Sequence, residues 1–240
     1  MKKEFSTLNF KNGVKDGLPI GLGYLAVSIA FGVQASLSGM PVLIALLMSM
    51  TNLTSAGQLA GLEVIASCGT IVELIIVQLV INARYFLMSV TLSQKVDKTF
   101  TITHRMLCSF AITDEVFGVA ASKPQKIGVK YYYGLMLLPP IGWTTGTLIG
   151  AVAGNVLPAF VASALGIALY SMFIAIILPP SIKHKGVLFA VIFSAVISCV
   201  LYYVPLFSAI SSGMAIIISA VISSAVTSFI FPVPKEEDYD

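Results

Sequence analysis

The stretch Thr51-Asn52-Leu53-Thr54-Ser55-Ala56-Gly57-Gln58 (TNLTSAGQ, residues 51–58) is polar or small at nearly every position. Ten apolar or small residues, Pro41 to Met50, precede it, and another largely apolar stretch follows. In water such an interruption is an ordinary loop. In lipid it is costly, because no solvent replaces a lost backbone hydrogen bond and each loss costs several kcal/mol. The surrounding composition therefore decides what it means.

Of 240 residues, 57% are hydrophobic and only 10% are charged, and the mean hydropathy is +0.94. A soluble domain carries about a quarter charged residues, so part of this chain's solvent is lipid. Eight hydrophobic segments follow one another, at 18–37, 41–67, 69–92, 107–121, 132–153, 160–180, 186–204 and 212–231. Most match the roughly 20 residues needed to cross a hydrocarbon core of about 30 Å. The sequence predicts an all-α polytopic integral membrane protein. It has seven to eight transmembrane or re-entrant helices, at least one of them broken. Residues 1–17 form a basic amino-terminal segment, 18–231 a single transporter domain and 232–240 a polar tail. No A-x-A-like cleavage site follows the first apolar stretch, so that stretch reads as a span and not as a signal peptide.

Basic residues mark the cytoplasmic side. Lys2, Lys3, Lys11 and Lys15, the connection with Lys123, Lys126 and Lys130, and the connection with Lys183 and Lys185 agree with both termini inside. The loop 93–106 does not fit eight full spans. It would then lie outside, yet it holds Lys95, Lys98 and Arg105. Segment 107–121 is short and reads as re-entrant or tilted, which leaves seven and eight spans both open. A faint internal echo adds a second pattern. Pro19-Ile20-Gly21 returns as Pro140-Ile141-Gly142, and Leu47-Met48-Ser49-Met50 as Leu169-Tyr170-Ser171-Met172. The two nearly equal offsets suggest duplicated halves, 18–121 and 132–231. Interruptions at matching places in two halves point to a transporter's binding site.

The interruption at 51–58 has two readings. In one, a broken helix lines a substrate cavity, with Asn52, Thr54, Ser55 and Gln58 as hydrogen-bonding groups and Gly57 admitting close approach. In the other, small residues let an unbroken helix pack tightly. The third segment, IVELIIVQLVINARYFLMSV, carries Glu73, Asn82 and Arg84. Arg84 either pairs with a carboxylate inside the protein or snorkels to the interface. Asp114 and Glu115 lie in FAITDEVFGVA. Ionisable residues between apolar flanks are functional candidates by default; the local alternative makes Thr113 an N-cap with both acids in the first turn. Asp114, Glu115 and Glu73 form the expected proton-coupling or ion-pair set.

Other groups carry less. His104 and His184 lie in polar connections and read as solvated. Trp143 reads as an interface anchor or as core, and Tyr131, Tyr132 and Tyr133 as an aromatic belt. Cys68, Cys108 and Cys199 read as buried free thiols without metal spacing. No HExxH, GxSxG or P-loop is present. No catalytic residue, metal or cofactor is expected, and the net charge of +3 speaks of topology and not of nucleic acid.

The motifs SMTNLTSAGQ, QLVINARYFLMSVTLSQKV and TDEVF, in that order, resemble the AzlC family of branched-chain amino acid exporters. YYGLMLLPPIGWTTGTLIGA and ALGIALYSMFIAIILPP extend the resemblance across nearly the whole chain. The resemblance implies a bacterial inner-membrane permease for leucine, isoleucine, valine and sometimes methionine. It also implies a small hydrophobic AzlD-type partner subunit. Gly57, Gln58, Asn82, Arg84, Thr113, Asp114 and Glu115 carry over onto the family's motifs, while Tyr85 departs from the histidine often found there. The residues themselves agree with an amino acid cargo. Asn82, Arg84 and the break supply donors for a carboxylate, and Asp114 or Glu115 an acceptor for an ammonium. A passive channel and a structural subunit of a membrane complex are the competing classes.

Overall fold

The computed structural model describes residues 8–154 and 156–232. The expected basic start at Lys2 and Lys3 and the acidic tail therefore lie outside the described residues. Ten α-helices follow in order: α1 (Phe10–Leu37), α2 (Val42–Thr51), α3 (Ser55–Ala66), α4 (Ile71–Lys95), α5 (Ile102–Ser109), α6 (Asp114–Ala121), α7 (Val129–Ala153), α8 (Ala159–Lys183), α9 (Lys185–Tyr203) and α10 (Ser212–Ile230). There is no strand among the described residues. Five of the helices, α1, α4, α7, α9 and α10, are long and apolar enough to cross a membrane, and α8, with 25 residues, has the length. The architecture is the expected all-α polytopic one.

The chain forms two compact units, residues 1–59 with 82–169, and residues 60–81 with 170–240. The first is organised by α1 and α7, which touch backbone to backbone. A Cβ added at Gly13, Gly17, Gly32, Gly142, Gly146 or Gly150 would collide with a carbonyl of the opposite helix. Small residues allow such an approach, and dispersion between the backbones then replaces the hydrophobic drive that lipid removes. The contacts climb together, Gly13 against Tyr131, Gly21 against Leu138 and Gly150 against Ile29, so the helices run parallel. The two Pro-Ile-Gly triplets meet here, with Gly142 seated on the Gly21 carbonyl.

Parallel helices put the starts of α1 and α7 at one end, where Asp16 binds Lys123 at 2.7 Å and accepts from the Tyr131 hydroxyl at 2.7 Å. The carboxyl end of α4 reaches the same end. The Asp97 amide donates to the Ile127 carbonyl at 3.0 Å, and the Ile127 amide to the Lys95 carbonyl at 3.1 Å. The hairpin α5–α6 also starts and finishes there. His104 Nδ1 lies 2.8 Å from the Tyr133 hydroxyl near its start, and Lys123 follows its last turn. Segment 107–121 thus belongs to a hairpin of two eight-residue helices, spanning residues 102–121, that turn back and do not cross. That geometry places Lys95, Lys98 and Arg105 at the same end as Lys123 and Lys126, which removes the charge conflict of eight full spans.

Several side chains sit otherwise than the sequence suggested. Tyr131 and Tyr132 are fully buried and belong to the core with Trp143, so only Tyr133 remains of the belt. His104 is hydrogen-bonded to Tyr133 and packs edge-on against its ring, so it is not simply solvated. Cys108 is buried, but Cys68 and Cys199 are exposed.

In the second unit, Ala60 and Val64 of α3 pack on Val77 of α4, with Ile216 and Ile217 of α10 against them. The α9 helix has no buried residue, leaving its apolar sides to the surroundings.

Gly142→Leu is expected to lower the melting temperature of the detergent-solubilised protein strongly, at or beyond the upper end of the about 1–3 kcal/mol that overpacking costs. Gly23→Ala, with nothing within 4 Å of the added carbon, is expected to be neutral or stabilising by up to about 1 kcal/mol.

Candidate functional site

The helix that TNLTSAGQ interrupts stops at Thr51 and restarts at Ser55. Thr51 bonds back to the Leu47 carbonyl at 2.8 Å, closing the end of α2. The Asn52 side chain accepts from the Thr54 amide at 3.1 Å, an Asx-type turn that holds the non-helical residues. Thr54 then caps α3, its hydroxyl accepting from the Gly57 amide at 3.2 Å. The same hydroxyl donates to Asn82 Oδ1 at 2.8 Å, tying the break to the middle of α4.

Behind the break lies a buried polar chain. Trp143 Nε1 donates to Gln58 Oε1 at 2.7 Å, and Gln58 Nε2 donates to Ser49 Oγ. Ser49 and Thr147 share a hydrogen bond at 2.7 Å. Gln58, Ser49 and Thr147 are fully buried. Gln58 therefore clamps the end of α2 and the start of α3 onto α7, and it does not line the cavity below.

A second helix start faces the break. Thr113 caps α6, accepting from the Val116 amide at 3.4 Å, and puts Asp114 and Glu115 in the first turn. The local reading of these acids thus holds, and so does the paired one. Arg84 Nη1 lies 2.9 Å from Asp114 Oδ2, and the Tyr24 hydroxyl of α1 donates to Glu115. Tyr24 in turn packs edge-on against Trp143, ring centroids 5.5 Å apart. Arg84 stacks over the Tyr85 ring at 5.1 Å. Its Nε is buried without a hydrogen-bond partner. A buried donor without an acceptor is uncommon and asks for an explanation.

A cavity of about 200 Å³ opens between the two tips. Asn52 and Thr54 of the break, Asn82 and Tyr85 of α4, and Phe110 and Ile112 of the α5–α6 turn line it. Through Ser89, Ser109 and Ile112 it adjoins a more apolar cavity of about 320 Å³, walled by Leu92, Val96 and Phe100. Two helix amino termini, partial positive charges in a water-poor place, thus flank a polar chamber beside an apolar one. Of the expected residues, Asn52, Thr54 and Asn82 line the chamber. Arg84, Asp114 and Glu115 are held by the hairpin tip, while Ser55 and Gly57 form the first turn of α3. Glu73 lies in the second unit and takes no part here. Tyr24, Ser49 and Thr147 belong to the site without having been singled out for it, since nothing local in the sequence marks them, and Tyr85, noted only as a departure from the family's motif, lines the chamber.

The sequence profile described as AzlC protein matches residues 19–157, which contain the break, the Arg84 helix and the hairpin. The chain belongs to the AzlC family. An archaeal AzlC relative, from Archaeoglobus fulgidus and named an uncharacterized membrane protein, is 29% identical over 184 residues, covering 76% of this chain and 80% of its own. Inner membrane protein YgaZ of Escherichia coli is 28% identical over 177 residues, 70% of this chain and 72% of that one. A membrane protein of Helicobacter pylori is 26% identical over 149 residues, 61% of this chain and 64% of that one. No solved structure matches. An AzlC chain with five membrane-length apolar helices among its described residues is an integral membrane protein of transporter type.

Trp143→Phe removes the donor to Gln58 and leaves a buried carbonyl unpaired, at about 1–3 kcal/mol. Thermal unfolding in detergent should show that loss. Thr91→Ala, whose exposed hydroxyl bonds only back to Leu87, should stay within about 0.5 kcal/mol of wild type.

Proposed function

We propose that this chain is a secondary transporter that exports branched-chain amino acids across the bacterial inner membrane. It works by proton antiport and together with a small AzlD-type hydrophobic subunit. The observation that carries the reading is the chamber between the two capped helix starts, lined by Asn82 and Tyr85 of the same helix that carries the buried, unpaired Nε of Arg84. A zwitterion needs donors for its carboxylate, an acceptor for its ammonium and an apolar place for its side chain. Arg84 and the amides at the start of α3 serve the carboxylate; Asp114 and Asn82 serve the ammonium. The neighbouring apolar cavity takes a leucine, isoleucine or valine side chain. A passive pore has no need of an ion pair that substrate could open.

The mechanism follows from the pairings. Substrate competes with Arg84 for Asp114, and with Asp114 for Arg84, so that binding loosens the α5–α6 tip from α4. Alternating access then requires only that the hairpin swing while α1 and α7 stay fixed. The end bearing Lys95, Lys98, Lys123 and Lys126 is the cytoplasmic one by the positive-inside rule, so the hairpin closes the inner side. Both termini lie in the cytoplasm. Export direction and the partner subunit rest on the AzlC resemblance.

The test is growth on toxic leucine or valine peptides of a host lacking its own exporter, with intracellular and external amino acids followed. Efflux is expected only when this chain and the small partner are present together. Asp114→Asn should cut efflux at least tenfold at unchanged membrane abundance. Wild-type efflux by that variant would sink the role given to Asp114, and no efflux from a correctly inserted pair would sink the substrate class.

A further inference from the structure

We infer that Glu73, in the second unit, is the group that carries the coupled proton. The inference rests on the transport reading above and names the acid that reading leaves unassigned. Asp114 and Glu115 both have partners, Arg84 and Tyr24. Asp114 is therefore committed to holding, or releasing, a guanidinium. Glu115, bonded to a hydroxyl, sits in the same helical turn as that ion pair. Glu73 is also bonded to a hydroxyl, but it lies in the second unit, is 8% exposed and, among the described residues, no cationic side chain pairs with it.

Its surroundings hold it tightly. The Ser211 hydroxyl donates to Glu73 Oε1, while Ser211 Oγ also caps α10, accepting from the Met214 amide at 3.3 Å. The Glu73 amide donates to Thr70 Oγ1 at 3.1 Å, so the residue sits in the first turn of α4. Gly69 and Gly213 press on the carboxylate. A Cβ at Gly69 would lie 3.0 Å from Glu73 Oε2, and one at Gly213 would lie 2.9 Å from both Glu73 Cγ and Val64 Cγ2. The carboxylate is therefore closely approached by two backbones.

The chain neighbour of Glu73's hydroxyl partner opens onto a groove of the same unit. A groove of about 520 Å³ is lined by Ser212, next to Ser211, and by Ser208, Ala215 and the exposed Glu63. Of the elements packed against Glu73, α3 presents Val64 and Ala60, and α10 presents Ser211, Gly213, Ile216 and Ile217. None of these side chains titrates. Titratable groups on the neighbouring segments are exposed, Glu63 on α3 and Cys68 in the connection to α4, and Cys199, Tyr202 and Tyr203 line the groove with Glu63. A buried carboxylate without a counter-ion is costly when charged and cheap when protonated, and the two helix starts oppose that cost only in part. In the inferred role Glu73 exchanges the coupled proton with water. The O–H bond breaks toward a water molecule and re-forms from one, and nothing else in the unit changes covalently.

The experiment uses the full chain with its partner subunit in liposomes, with radioactive leucine as the probe. Glu73→Gln keeps the shape and the acceptor for Ser211. Leucine–leucine exchange is expected to stay within about twofold of wild type, while accumulation driven by a pH gradient falls at least tenfold. In parallel, infrared difference spectra of the purified chain should show a carboxylic-acid carbonyl band that titrates in wild type and is missing in Glu73→Gln. Ser211→Ala, which keeps the carboxylate, should shift the midpoint of that titration and provides the readout if Glu73→Gln folds poorly. Gradient-driven accumulation by Glu73→Gln would overturn the inference. So would loss of exchange along with accumulation, or a band unaffected by either variant. A wild type that exchanges no amino acid would remove the transport reading and the coupling role with it, whatever the band does.

Discussion

The contact on which the first unit depends is the meeting of two bare backbones, α1 against α7. Glycines spaced at one helical turn along both helices let the axes approach until carbonyls touch the opposite chain. Everything in the site is referred to that pair. Tyr24 on α1 fixes Glu115, and Trp143 and Thr147 on α7 fix Gln58 and Ser49. The polar tips are short and carry little apolar surface of their own. They hold their places because the rigid pair behind them presents hydrogen-bonding partners at the right height.

The site then uses helix ends where most membrane proteins use helix flanks. Thr54 and Thr113 each cap a short helix, and each cap directs a start of positive potential toward the same chamber. Asn52, Thr54 and Asn82 satisfy one another first, so the broken backbone costs little. Arg84 is the exception, with one nitrogen committed to Asp114 and another left without an acceptor. Under the proposed function, that free donor is the group a substrate carboxylate would take up.

Much of this was legible in the sequence, for physical reasons. A chain with 10% charged residues has no choice but lipid, and a polar interruption in lipid has to break a helix and face something. Asp114 between apolar flanks had to find either a cap or a cation, and it found both, because Thr113 supplies the cap locally and Arg84 the charge. The destination of Gln58 was not legible. Its amide suited the chamber, but which helix passes behind residue 58 depends on α7, some 85 residues away, and the glycine pairing that brings α7 there leaves no local mark. The same holds for Tyr131 and Tyr132. Beside Lys130 they read as a membrane edge, yet α1 and the hairpin cover them. The resemblance to AzlC proteins did not depend on these details, since it rests on the motifs and not on their contacts.

The hairpin's double return to one end bears on how the protein is made. Neither α5 nor α6 is long enough to enter a bilayer on its own, and each has eight residues. Their seat is built from α1, synthesised before them, and α7, synthesised after. Until α7 is in place the hairpin has only part of its cradle, so its packing depends on a helix that follows it in the chain as much as on one that precedes it.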